Sequence, residues 1–141
     1  MNLYYLDSSI FITYLISEKG FLYKTNSMKN ICASKLTEVE VYRFLDRELN
    51  SKRINVYHLL DLMRVTRFFF DQIQMIPVSD DILEAAKSSF AHSVKTLDAI
   101  HASTVQWLSK VSNRGVVFCS LNEKLNQVVM RLGIETQNSI D

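Results

Sequence analysis

A chain of 141 residues with 48% hydrophobic and 22% charged content carries enough apolar material for one globular core, and at that length it buries roughly two thirds of its unfolded surface. Its formal net charge of +1 is not the basic balance that by itself marks a nucleic-acid face. No run is long and apolar enough to span a bilayer, and the opening MNLYYLDSS lacks the basic start of a secretory signal, so no membrane association and a cytoplasmic setting are expected. Cys32 and Cys119 sit in apolar runs and read as reduced core thiols, while His58, His92 and His101 are too scattered for a zinc spacing.

Residues 2–6 form a short apolar strand that stops at Asp7; Ser8 or Ser9 is placed to cap a helix carrying Ile10, Phe11, Tyr14 and Leu15 and ending near Gly20. A carboxylate where a strand gives way to a helix sits where open α/β sheets bind ligands. Residues 17–30 read as a polar connection with Lys19, Lys24 and Lys29, either a solvated loop or a rim of phosphate contacts. After a short strand at 31–33, SKLTEVEVYRFLDRELN predicts a helix over 34–50 with Leu36, Val39, Arg43 and Leu49 along it. Glu38 and Glu40 differ by two positions and so point to different faces.

Residues 55–73 are helical and apolar on two sides: Val56, Leu59, Leu60, Met63, Phe70 and Ile73 on one, Leu62, Val65 and Phe69 on the other. The second stripe predicts either a partner or a helical hairpin. A strand at 74–78 ends at Pro77, and Ser79 caps a helix with Asp80 and Asp81 in its first turn and Ile82, Leu83, Ala86 and Phe90 behind them. KTLDAIHAST, residues 95–104, opens a long helix with Thr96 as cap, Asp98 at the second helical position, and Leu97, Ile100, Thr104, Leu108 and Val111 at helical spacing. GVVFC, 115–119, is a strand of the kind buried on both faces. Ser120 and Asn122 follow it as Asp7 follows the first strand; a short helix closes at Gly133, and 134–136 is the last strand. This alternation predicts an α/β fold with a parallel sheet between helices, one domain over 1–136 and a polar tail at 137–141.

Asp7, Glu40 and Asp98 each lie at an element end and are placed to converge on one sheet edge. Three carboxylates repel unless a cation lies between them, and oxygen-only ligands select a hard ion such as Mg²⁺ or Mn²⁺, which suits phosphate chemistry by activated water. In the same three places the chain resembles the PIN domain family, and within it the VapC-type ribonuclease toxins. YLDSSIFI resembles the family's opening Asp motif, SKLTEVEVYR its S-x-L-T-x-x-E-V-x-R pattern, and KTLDAIHAST its (R/K)-T-L-D-A-x-H-x-A-T segment.

The resemblance runs from about Leu3 to Glu135. It implies a PIN-like three-layer α/β/α fold with a central parallel sheet and a metal-dependent endoribonuclease in which Asp7, Glu40 and Asp98 are metal ligands and catalytic residues. It also implies RNA as substrate, a small VapB-type antitoxin as partner, and a homodimer. Ser9 and Thr96 are expected to orient the carboxylates, and His101 to be structural. One place departs: S-L-N stands where the family carries T-x-D, so Asn122 replaces the fourth acid, with Ser120 beside it. That departure supports an alternative, a weak or inactive PIN-like module that binds RNA or protein. Another aspartate-based phosphate enzyme is a third reading, against which Ser9 stands where a haloacid-dehalogenase-like site needs Asp.

Overall fold

The computed structural model describes residues 1–17 and 28–139. Along the chain it forms β1 (Leu3–Leu6), α1 (Ser8–Ser17), a 3-10 turn (Met28–Asn30), β2 (Ile31–Ser34), α2 (Lys35–Asn50), α3 (Val56–Gln72), β3 (Gln74–Ile76), α4 (Asp80–Ala85), α5 (Thr96–Val111), β4 (Val116–Cys119), α6 (Glu123–Arg131) and β5 (Glu135–Gln137). The strands lie in the order β3-β2-β1-β4-β5, every neighbouring pair parallel. The chain first steps outward from β1 to β2 and β3, then crosses back to β4 and β5. With right-handed crossovers, that reversal sends the later helices to the opposite face.

Period-two alternation in the strands builds a core on each side. Leu3, Tyr5, Cys32, Val116 and Phe118 face a cluster with Ile82, Ala102, Val105, Leu108, Leu125, Val128 and Val129 from α4, α5 and α6. Leu6, Ile31, Ala33, Val117 and Cys119 face Ile10, Phe11, Leu15, Val41, Leu45, Phe69 and Phe70 from α1, α2 and α3. Two helix layers around a parallel sheet is the expected architecture. Both thiols are buried, and burial pushes each up to about 12, so neither serves as a nucleophile near neutral pH.

Several local expectations are corrected. Asp7, not Ser8 or Ser9, caps α1: its Oδ1 accepts the N–H groups of Ser9 and Ile10. Lys95 holds the N-cap position of α5 without a side-chain bond, so Thr96 is the first helical residue and Asp98 the third. The buried face of α5 is its small-residue side, Ala99, Ala102, Ser103 and Thr104 with His101, Val105 and Leu108, while Leu97 and Val111 are exposed. Close approach to a sheet favours small side chains, and that outweighs the apolar count. In α2 the buried residues are Thr37, Val41 and Leu45, and Val39 is exposed. α4 stops at Ala85, short of Phe90. β5 runs to Gln137. Gly20 lies outside the described residues.

Residues 56–72 are one helix, not a hairpin, with Asn55 as cap. Phe69 and Phe70 are buried; Phe69 stacks on Phe11 of α1 and Phe70 packs against it at a tilt, with ring centroids 4.7 and 4.9 Å away. Phe69 is therefore core, which overturns its expected place on an exposed stripe; the exposed apolar residues of α3 are Val56, Tyr57, Leu60 and Phe68. Phe69→Ala is expected to destabilise the fold by about 3–5 kcal/mol in denaturant titration, whereas Phe68→Ala should stay within ~0.5 kcal/mol.

Candidate active site

Register determines what meets at the carboxyl end of the sheet. Tyr5 pairs with Cys32 and Leu6 with Cys119. Continuing those ladders past the strand ends sets Asp7 level with Ser34 on one side and Ser120 on the other. The strand order reverses between β1 and β4, the place where open α/β sheets form a crevice. β2, too, delivers its helix at this end: Ser34 is its last residue and caps α2, with Oγ accepting from the Leu36 N–H at 3.0 Å.

Asp7 is only 5% exposed, and its environment makes a buried carboxylate tolerable. Oδ1 accepts from Ser9 Oγ at 2.5 Å and from the Ser9 N–H at 3.0 Å, and Oδ2 accepts from Ser120 Oγ at 2.6 Å. Each serine is itself oriented: Ser9 Oγ accepts from the Leu121 N–H and Ser120 Oγ from the Asn122 N–H, both at 3.0 Å. With an N–H already donated to it, each hydroxyl is turned to give its proton to Asp7. The positive end of α1 adds to the stabilisation. Two loops, after β1 and after β4, are thereby tied to one carboxylate.

Glu40, in the second turn of α2, is reached from α5. His101 Nε2 lies 2.6 Å from Glu40 Oε1, and His101 Nδ1 lies 2.8 Å from the hydroxyl of Tyr5. His101 and Tyr5 are both buried. Burial, with the nearby Cys32 and Asp7 groups adding to it, holds the Tyr5 phenol well above its ordinary value. Glu38 acts instead on Tyr42, one turn along α2.

Asp98 stands one turn before His101 on the same face of α5. Partial burial raises its carboxyl above the ordinary value; the charges of Asp7 and Glu40 raise it further, against the opposing pull of His101 and Lys95. Asp7, Glu40 and Asp98 therefore share one local field, although among the described residues no three His, Cys, Asp or Glu side chains are gathered closely enough to hold an ion as they stand. In donor chemistry the set fits a hard divalent cation: its oxygens are carboxylates, and the repulsion acting on Asp98 is what such a charge would relieve.

The remaining candidates separate. Ser9 and Ser120 touch Asp7 directly. Asn122 does not: its Oδ1 accepts the Leu125 N–H at 3.2 Å and caps α6. Its oxygen is thus directed into a helix end. Asn122→Ala should cost about 1 kcal/mol in thermal unfolding, and Asn122→Asp, an equally good cap, almost nothing of that. Thr96 is exposed, and its side chain makes no hydrogen bond to the carboxylates among the described residues. Lys19 and Lys24 lie outside the described residues. Lys29 is exposed in the turn that enters β2, at the amino end of the sheet and across it from Asp7, so it does not rim this site. Sequence reasoning missed Tyr5 and undervalued His101. Their signals were spacing alone: Tyr5 shares a strand face with Asp7, and His101 a helix face with Asp98.

Residues 4–128 match the PIN domain family. This chain belongs to it. No match was found among curated proteins. Solved structures share the fold at low identity. The DNA-bound VapBC from Salmonella typhimurium is 16% identical with a TM-score of 0.67, covering 97% of this chain and 98% of that one. A toxin–antitoxin complex from Klebsiella pneumoniae is 19% identical with a TM-score of 0.58, over 96% and 98%. PAE2754 from Pyrobaculum aerophilum is 13% identical with a TM-score of 0.59, over 99% and 90%. Among the described residues no helix is long and apolar enough to cross a membrane.

Proposed function

We propose that this chain is a divalent-metal-dependent endoribonuclease of the VapC type, the toxin of a toxin–antitoxin pair, that works in the cytoplasm as one PIN-like unit. The observation that carries the reading is the shared field of Asp7, Glu40 and Asp98 at the strand-order reversal, in a PIN family member. Asp7 and Asp98, with Glu40, would hold Mg²⁺ or Mn²⁺. When bound, such an ion supplies positive charge to a phosphoryl group and lowers the pKa of water. The chain's own part is to bury Asp7 and to hold the carboxylates in fixed directions: Ser9 and Ser120 orient Asp7, and His101 meets Glu40.

His101 is enclosed between Tyr5 and Glu40, leaving it no open ring nitrogen for acid–base exchange with RNA. Hydrolysis by water is therefore expected, with 5′-phosphate and 3′-hydroxyl ends, rather than attack by the RNA 2′-hydroxyl. Mapping the ends of products made with Mn²⁺ or Mg²⁺ tests this; a 2′,3′-cyclic phosphate sinks it.

A second reading, a weak or inactive module that binds RNA or protein, is favoured by one observation: Asn122 brings no charge and its oxygen caps α6. Retained RNA binding with no cleavage at any metal concentration would establish it. For partners, the exposed Tyr57, Leu60 and Phe68 of α3 offer an apolar surface for a small VapB-type antitoxin or a second copy. The two toxin–antitoxin structures of similar fold support the former.

A further inference from the structure

We infer that His101 and Tyr5 are positioning residues for Glu40, a three-member chain that aims this carboxylate into the site; the inference rests on the proposed metal-binding role of Glu40. The chain joins three separate elements: Tyr5 on β1, His101 on α5 and Glu40 on α2, at 2.8 and 2.6 Å. Its inner members are removed from water, with Tyr5 0% and His101 2% exposed, so the Tyr5–His101 bond is shielded from solvent competition, while the bond to Glu40 lies at the half-buried edge of the site. The packing leaves the imidazole little room to turn. Tyr5 stacks on Phe118 at 5.6 Å and meets the His101 ring edge-on at 6.0 Å.

For a neutral His101 ring the hydrogen bonds have one self-consistent direction. A carboxylate only accepts, so His101 Nε2 must carry the hydrogen that points at Glu40 Oε1. In the neutral ring Nδ1 then accepts, and the hydroxyl of Tyr5, 2.8 Å away, gives it the proton that burial keeps in place. One oxygen of Glu40 is thus engaged, and among the described residues no hydrogen bond holds the other, which would serve a cation or its waters. Histidines that orient, or are oriented by, carboxylates around metals act in this way in general, and loss of such a partner typically costs about 10–100-fold in affinity.

The chain also explains two residues of the KTLDAIHAST segment at once. Asp98 and His101, one turn apart, serve two different carboxylate positions from one rigid helix: the first is itself a carboxylate of the site, and the second fixes Glu40 from behind. A slip of α5 along the sheet would therefore disturb both together.

The test uses full-length protein. Imidazole ¹⁵N spectra of the metal-free chain should show His101 as the Nε2–H tautomer with an exchange-protected, downfield proton that moves on Glu40→Gln and on Tyr5→Phe. An Nδ1–H ring, or a signal indifferent to Glu40→Gln, overturns the inference whether or not metal binds. In Mn²⁺ titration calorimetry His101→Leu should weaken binding about 10–100-fold, and His101→Gln, whose amide can still donate to Glu40, should recover most of it. In a Glu40→Gln background His101→Leu should cost nothing further, because it acts through Glu40. Equal losses in both backgrounds would show a general structural effect and overturn the assignment. Should the wild-type chain take up no Mn²⁺, the metal reading of Glu40 falls, and the spectrum decides the hydrogen-bonded chain on its own. Folding of each variant is checked by its melting temperature with chelator, and Tyr5→Phe, which keeps the ring packed on Phe118, guards against a His101 variant that fails to fold.

Discussion

Asp7→Asn, Glu40→Gln and Asp98→Asn are each expected to reduce RNA cleavage by more than the ~100-fold that loss of a merely supporting residue costs, and chelator should do the same to the wild-type protein. The structure ranks the surrounding residues below these three. Ser120→Ala removes the one hydrogen bond that the described residues give Asp7 Oδ2, while Ser9→Ala leaves the Ser9 and Ile10 N–H groups still on Oδ1. Ser120→Ala should therefore be the costlier serine change, within about 10–100-fold, and both should fall short of Asp7→Asn. Purified variants assayed side by side on single-stranded or looped RNA with Mn²⁺ give the comparison. Cleavage that survives both chelator and Asp98→Asn would mean that another mechanism, or a contaminant, is responsible.

That ranking could not have been drawn before the strands were paired. Sequence spacing put Asp7, Ser9, Asp98 and Ser120 at element ends, because a strand that stops at a polar residue and restarts as a helix leaves a recognisable trace; Glu40, expected at an end as well, lies instead in the second turn of α2. The sheet architecture was legible for the same reason, since strands such as VVFC alternate with helix-length segments throughout. What spacing does not carry is register. Only the pairing of Leu6 with Cys119 brings Ser120 level with Asp7, and only that geometry shows that Asn122 is turned away into α6. Helix faces failed in a related way. In α5 and α3 the apolar residues outnumber what one face can bury, and the choice fell to the small Ala99 and Ala102 and to the aromatic pair Phe69 and Phe70. Tertiary packing, not periodicity, decided which stripe went inside. The Tyr5–His101–Glu40 chain was the least legible feature, because each member is ordinary in its own segment and the three meet only in the folded chain.

Charge in the metal-free site supplies the second large effect. Asp98 has a carboxyl raised first by burial and then by Asp7 and Glu40, despite His101 and Lys95. The upward direction means that the charged form is disfavoured by folding. The stability contributed by a protonated Asp98 is fully present below the ordinary Asp range and is lost as pH rises through the raised folded value. Near neutral pH the ionised group therefore weighs against the fold. Asp98→Asn removes that charge and should raise the melting temperature in chelator at pH 7, with a smaller gain or none at pH 3, where wild type is already protonated. A cation that binds only the folded arrangement reverses the balance. At a hundredfold excess over its dissociation constant it adds ~2.7 kcal/mol, or roughly 5–10 °C for a chain of this size. Wild type should show that rise with Mn²⁺, and Asp98→Asn should lose most of it, so the two melting temperatures cross between chelator and metal. Parallel curves, with Mn²⁺ stabilising wild type and Asp98→Asn alike, would place the ion elsewhere and leave the carboxylates without their shared role. A wild type indifferent to Mn²⁺ but still able to retain RNA would instead favour the binding module, in which Asp7, tied to two serines, holds two loops together and cleaves nothing.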